Sequence, residues 1–458
     1  MLGNALYFFL FIALTLLLFY KSRFPLLVLF FASLIFIACI EWRAVPLLLM
    51  NALLSFYVAQ RMVQSQHKNL LFILSLSFIL VELLVFKYFA LSGSLFSSNH
   101  FVFALGLSFY SLQHIAYLFD VKIGRSAPEQ NALSYVVASA YFPKILCGPV
   151  VTYQQMKNAL PVRPLFREEN MVAGFKRFIL GAFKKLVLAN HLALMTAAIF
   201  DNPEANNGFI SLFAGVLFTL QVYFDFSGYI DMALGISRCF GIELPENFAR
   251  PLRSISVTQF WRRWHITLMQ WLTHYVYYPV SYFFRQNAFL SAFAGIVITL
   301  LFSAFWHGLG CTFFLWALCH IVYLSIELVA QRAKLKLLKA LTFVLTIFAV
   351  SFANIFFRSS DITTAQKMMG EIFSVQNFWP SDWLVQFVAL IGKGAELNDL
   401  FNFSACWIFV LLFLSFENRI NREANRTKFS IGWLTLFILL IFVFGIFNSG
   451  EQFIYSRF

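Results

Sequence analysis

Charge is what this sequence lacks. Only 12% of its 458 residues are Asp, Glu, Lys or Arg, about half the share of a soluble domain, which excludes an aqueous surface all round. Cysteine is scarce too. The six, at 39, 147, 239, 311, 319 and 406, form no C-x-x-C pair and no zinc spacing, so they read as small packing residues. A phosphate-binding glycine loop and an H-E-x-x-H motif are missing as well, and no metal site is expected. The first 20 residues lack a basic n-region and an A-x-A site, so they are expected to stay as a first transmembrane helix instead of leaving as a signal peptide.

What the chain has is apolar length. Hydrophobic residues make up 60%, including 60 Phe, gathered in runs long enough to cross a bilayer and separated by short polar breaks. This predicts an all-α polytopic membrane protein of about 11 to 12 membrane-embedded helices, the runs being matched to the ~20 residues a span needs. Lys and Arg exceed Asp and Glu by 34 to 21, a net +13. The excess sits mostly in the breaks, so it reads as topology and lipid headgroup contact and excludes nucleic acid as a partner. Some of it can attract an anionic substrate on the cytoplasmic side.

Spans are expected near Asn4–Tyr20, Pro25–Ile40, Val45–Gln60 and Leu70–Phe89, where Glu82 and Lys87 need partners. From Phe101 to Tyr153 the apolar pattern is broken by His114, Asp120, Lys122, Lys144 and Gly148-Pro149, which predicts interrupted helices shielded by protein. The basic segment from Lys157 to Lys185 predicts a cytoplasmic loop and an interfacial amphipathic helix. Further spans follow at Phe209–Met232, Ala288–Trp306 and Cys311–Ile326, then one ending near Phe357, then Phe403–Phe416 and Ile431–Phe447, with a surface piece around Trp383–Ile391. The chain is expected to form one transmembrane domain over 1–458: scaffold helices in 1–95, a motif-bearing core in 101–366 and C-terminal helices in 367–458.

Candidate chemistry is confined to a few polar residues. Between Gln286 and Glu327 lie 40 residues without a charge; as one helix they would extend ~60 Å, about twice a bilayer core. They must fold back, and Trp306-His307-Gly308-Leu309-Gly310 is the natural turn, its glycines supplying backbone freedom. His307 there is either a base at the end of a cavity or a solvated turn residue. On a helix begun near Thr258, Trp261, Trp264, His265 and Leu268 fall on one face, with Arg262 and Arg263 elsewhere. That face belongs either to a site or to an ordinary interfacial helix. Asp225 and Asp231 are about 120° apart on a helix, a poor shared acid pair, so pairing with arginine or backbone donors is expected. His114, His191, His274 and His320 read as hydrogen-bonded packing residues.

The stretch QVYFDFSGYIDMALGISRCFGIELPENFARPLRSISVTQFWRRWHITLMQWLTHYVYYPV at 221–280 resembles the membrane-bound O-acyltransferase family nearly throughout. The likeness is to its bacterial AlgI/DltB-like branch, and closest to the alginate O-acetylation side. Further likenesses are LGLSFYSLQHIAYLFDV at 105–121, YFPKILCGPVVTY at 141–153, AFWHGLGCTFFLWALCH at 304–320, NIFFRSSDITTAQ at 354–366 and the terminal EQFIYSRF. The resemblance implies a helical bundle with a central funnel, His307 as the catalytic residue at its base and His265 as the second functional histidine. It also implies transfer of an acyl group, acetyl on this side of the branch, from a cytoplasmic thioester to an exported or cell-surface polysaccharide. The donor would be acetyl-CoA, with no bound cofactor; an extracytoplasmic acetyltransferase would be the partner, and the bacterial inner membrane the location.

The chain departs from the branch in SYFFRQN at 281–287, in His114, Lys144 and Cys147, and in its S-R-F ending, which leaves acceptor and partner open. D-alanyl transfer, a glycan transporter or flippase, and a scaffold that only recruits an acetyltransferase are the rival readings.

Overall fold

The computed structural model describes residues 2–86, 106–161, 163–335, 338–374, 377–378, 397–428 and 430–447. Among these no strand occurs. Six helices are long and apolar enough to cross a membrane, and three shorter apolar ones accompany them. The expected piece at Trp383–Ile391, Lys87 and the terminal EQFIYSRF lie outside the described residues.

The chain divides into two compact units. One comprises Met1–Phe178, Ile230–Pro245 and Asn425–Phe429; the other comprises Ile179–Tyr229, Glu246–Ala424 and Ser430–Phe458. The first begins with four helices, α1 (Leu2–Lys21), α2 (Pro25–Glu41), α3 (Ala44–Gln64) and α4 (Lys68–Leu84), followed by α5 (Leu107–Lys122), α6 (Ala132–Ala140), α7 (Phe142–Ile145) and α8 (Tyr153–Ala159). Broken helices occur as expected, but of the residues expected to break them only Gly148-Pro149 falls between helices: His114, Asp120 and Lys122 lie inside α5 and Lys144 inside α7, while Asn131 caps α6 and Pro143 opens the single turn of α7. A Cβ at Gly148 would run into the Lys144 backbone, so only glycine lets the chain leave α7 this closely.

Buried charged groups in this unit meet polar partners, as an apolar surround requires. Glu82 accepts a hydrogen bond from the Asn51 amide at 2.7 Å, and the buried Lys144 donates to the Gln113 side chain at 2.8 Å and to the Ser139 carbonyl at 3.2 Å. Arg177 holds Asp231 at 3.0 Å. In the loop before α6, Glu129 takes Lys157 at 2.5 Å and the Tyr153 hydroxyl at 2.6 Å on one oxygen, and the Gln130 and Asn131 N–H groups on the other. Burial alone would raise its carboxyl, but these donors, Lys157 first, hold it at about 2.

The remaining elements are α9 (Glu168–Phe183), a π-helical turn Lys184–Ala189, α10 (Asn190–Phe200), α11 (Gly208–Cys239), α12 (Val257–Arg263), α13 (Ile266–Leu272), α14 (Tyr278–Phe283), α15 (Ala288–His307), α16 (Cys311–Arg332), α17 (Lys339–Arg358), α18 (Ile362–Phe373), α19 (Leu397–Ala424) and α20 (Ile431–Phe444). The expectation of an interfacial helix within the basic segment Lys157–Lys185 is corrected here: Glu168–Phe200 is long and apolar enough to cross a membrane and mostly buried. Lys176, Lys184 and Lys185 are all buried. Basic residues can lie inside because acceptors wait for them: Lys185 meets Asp225 at 2.5 Å in the second unit, and Lys176 reaches the Lys428 carbonyl in the first.

Two outcomes follow. Asp225→Ala, which strands a buried ammonium, is expected to cost about 3–5 kcal/mol, whereas the apolar pair Lys185→Met with Asp225→Leu recovers most of it; thermal unfolding in nanodiscs reads both, and an equal loss in the pair would show that the ions do not offset each other. Glu129, depressed in the folded state, contributes fully above its ordinary value of 4.5 and loses that contribution as pH falls towards 2. Glu129→Gln should therefore flatten the acid limb of the unfolding midpoint against pH.

Candidate active site

All of the site lies in the second unit. Its floor comes from the hairpin of α15 and α16, with the turn at Gly308–Gly310 where the charge-free run predicted it. The glycine there serves a different purpose from the one expected. Gly308 is extended and Gly310 has φ −63, so neither uses the left-handed region. Instead, a Cβ at Gly308 would run into the Phe313 ring, and that ring stacks against His307 with centroids 6.5 Å apart. The glycine gives clearance for the histidine's own wall.

His307 is 5% exposed. Its imidazole is boxed by rings: Trp306 at 4.8 Å, Phe357 at 5.1 Å and Trp316 at 5.6 Å, all edge to face. Edge-to-face rings hold an imidazole plane without any polar partner of their own.

His265 is reached by a different route. The single helix expected through Trp261 and Leu268 does not form: α12 ends at Arg263 and α13 starts at Ile266. His265 stands between them at φ 45, ψ 51, a left-handed conformation that costs a non-glycine residue ~1–2 kcal/mol. The extended segment at 247–249 pins the break: the Ala249 N–H bonds the Arg263 carbonyl at 2.9 Å and the Ile266 N–H bonds the Asn247 carbonyl at 2.9 Å. Trp261, Trp264, His265 and Leu268 still meet on one cavity, but a backbone reversal brings them there, not a helical face.

Asn247 lies within the 221–280 stretch but was not picked out there as a site residue, and it sets the tautomer of His265. Its Oδ1 accepts from the Thr267 N–H at 3.1 Å and the Thr267 hydroxyl at 2.9 Å, and lies 3.2 Å from His265 Nδ1. Because the Thr267 N–H can only donate, the amide atom at that point is the oxygen, and Nδ1 of His265 must donate to it. A neutral His265 therefore carries its proton on Nδ1 and its lone pair on Nε2.

His265, His307 and His320 line one cavity of about 30 Å³ together with Trp261, Trp264, Trp316 and Phe357. That volume is about one water's share of the liquid. Among the described residues that line it there is no carboxylate. His320, expected to be a packing residue, is thus part of the site. Two of the other histidines fit the packing reading, the buried His191, which bonds the carbonyl four residues back at 2.7 Å, and the buried His114, which bonds the Tyr135 hydroxyl at 2.8 Å; His274 makes the same bond to the carbonyl four residues back but is exposed. Asp225 and Asp231 are paired with Lys185 and Arg177, one with a lysine where an arginine or backbone donor was expected.

The family model of MBOAT, the membrane-bound O-acyltransferase family, matches residues 57–356, which include His265, His307 and His320. This chain belongs to the membrane-bound O-acyltransferase family. It is accordingly an O-acyltransferase and a multi-pass membrane protein. Among its relatives is the "Peptidoglycan O-acetyltransferase" of Helicobacter pylori, 31% identical over 393 residues, 76% of this chain and 73% of that protein. The "Probable alginate O-acetylase AlgI" of Pseudomonas aeruginosa is 32% identical over 282 residues, 61% of this chain and 53% of its own. The "Teichoic acid D-alanyltransferase" of Bacillus subtilis is 26% identical over 234 residues, 48% and 58% respectively.

The strained position offers a test of the geometry of this O-acyltransferase. Asn tolerates the left-handed region and a β-branched residue does not, so His265→Asn should unfold within a few degrees of the parent and His265→Val well below it. Equal midpoints for the two would contradict the break at His265.

Proposed function

We propose that this chain transfers an acetyl group from a cytoplasmic thioester, acetyl-CoA, to the hydroxyl of an exported or cell-surface polysaccharide at the bacterial inner membrane, through an extracytoplasmic partner acetyltransferase. The observation that carries this is that His307 and His265, the two histidines in the family's motif positions, line one aromatic-walled cavity. His307 acts as general base. It takes the proton of the attacking hydroxyl as the new O–C bond forms; the C–S bond then breaks, and the departing thiolate recovers a proton from the imidazolium. His265 presents a lone pair on Nε2, held in that tautomer by Asn247, and orients the hydroxyl. The apolar walls keep water from hydrolysing the thioester.

One feature favours acetyl over D-alanyl: a D-alanyl ammonium would enter the cavity without a carboxylate among its lining residues to meet it, an uncompensated buried charge. For the acceptor, the acetylating relatives of peptidoglycan and alginate align over more of this chain than the teichoic acid relative does, which favours an envelope or exported polysaccharide.

The test is release of CoA from labelled acetyl-CoA by the purified protein in nanodiscs, with and without an acceptor fraction. Acceptor-dependent release is expected, and His307→Ala should reduce it by about 10²–10⁴-fold, the range of a positioned general base, while the protein stays folded and inserted. Equal release by both proteins would remove His307 from the reaction. Glycan movement without an acyl product, insensitive to the substitution, would favour a transporter.

A further inference from the structure

We propose that His320 supplies the hydrogen bond that holds the carbonyl oxygen of the acyl group while the acyl bond is exchanged. The assignment rests on the acyl-transfer reading above. His320 lies in the middle of α16 within a charge-free apolar run, 1% exposed, and a polar side chain at such a place in a membrane helix marks a site more often than it marks packing.

Its tautomer can be read directly. The indole N–H of Trp261 lies 3.3 Å from His320 Nδ1, and an indole nitrogen can only donate. Nδ1 is therefore the unprotonated nitrogen, and a neutral His320 carries its hydrogen on Nε2. His265 has the opposite arrangement, with Nδ1–H given to Asn247. The cavity is thus lined by two imidazoles locked in complementary states, one offering a lone pair and the other an N–H. Trp316 ties the set together: its ring lies 5.1 Å from His320 and 5.6 Å from His307, edge to face with both.

A purely structural account would have His320 do no more than fasten α12 to α16 through Trp261. That fastening has a separate source two turns further along α16. The Glu327 carboxylate accepts the Val257 N–H, the Thr258 N–H at 3.0 Å and the Thr258 hydroxyl at 2.7 Å, closing the start of α12 with a negative group where a helix favours one. What His320 adds beyond an anchor is its second nitrogen. Acyl transfer has a use for it: as the hydroxyl oxygen bonds the carbonyl carbon, the C=O pair moves onto oxygen, and an N–H fixed beside that oxygen stabilises the charge. When the pair returns, the C–S bond breaks and the thiolate departs with the proton that His307 removed from the hydroxyl.

The experiment compares kcat and KM for acceptor-dependent CoA release among four nanodisc preparations: the parent, His320→Asn, His320→Gln and Trp261→Phe. Asn keeps an oxygen near Nδ1 for Trp261 but has nothing at the Nε2 position; Gln reaches that position with an amide N–H. Loss of one such donor lowers kcat by about 10²–10³-fold, so His320→Asn should fall about 10²-fold with KM within about twofold, and His320→Gln should regain at least about tenfold of that. Trp261→Phe, which frees the tautomer but leaves the ring, should lose less than His320→Asn.

A kcat for His320→Asn within about threefold of the parent overturns the assignment, as does a drop in Trp261→Phe as deep as that of His320→Asn, which would make the pair an anchor only. If His320→Asn does not insert, His320→Gln decides alone: about a tenth of parental kcat or more supports the donor, and a loss equal to that of His307→Ala removes it. Absence of release by the parent would remove the acyl-transfer reading and this assignment together, whereas release by parent and His320→Asn alike removes only the latter.

Discussion

A polar atom kept from water must find a partner inside the protein or carry a large desolvation penalty, and in a chain this apolar the partners decide where each helix sits. Asp225 stands opposite Lys185 and Asp231 opposite Arg177; Glu82 faces Asn51; Glu327 closes the start of α12. In each case the residue that looks out of place in an apolar run is the one that fixes a neighbour. The same constraint shapes the candidate site, where three histidines, Ser303 and Asn354 are set among walls made mostly of rings.

Aromatic side chains suit such walls because they enclose an imidazole without competing for its hydrogen bonds. Trp316 touches His307 and His320, Phe357 touches His307, and Phe226 lies 4.7 Å from His265. Each ring is held in turn by others, as Trp264 is by Phe248 and Phe260. The abundance of Phe in the composition therefore has two uses: a lipid-facing exterior and a stiff aromatic interior around the site histidines. The tautomers of His265 and His320 are then set by two neutral partners, Asn247 and Trp261, without placing a second charge in the site.

Membership of the membrane-bound O-acyltransferase family and the local geometry speak to different parts of one question. The family accounts for the reaction class. The imidazole tautomers fixed by Asn247 and Trp261 bear on how this chain would carry it out. The left-handed His265 connects the two, since strain of this kind persists only where the surrounding structure enforces it, here through the segment at 247–249.

By itself the sequence determined the helical membrane class, a region of broken helices before Tyr153 and the fold-back at Trp306–Gly310, because hydrophobic run length and local motifs are properties of neighbours along the chain. It misjudged whatever depended on residues far apart. The basic segment Lys157–Lys185 reads as interfacial until Asp225, some forty positions on, is seen to accept Lys185. His265 reads as part of one helix until the carbonyl of Asn247 is seen to take the Ile266 N–H. Hydrogen bonds and ring contacts between distant segments are set by how the chain closes on itself, so only the tertiary structure could decide which histidines share a cavity and which nitrogen of each one faces the chemistry.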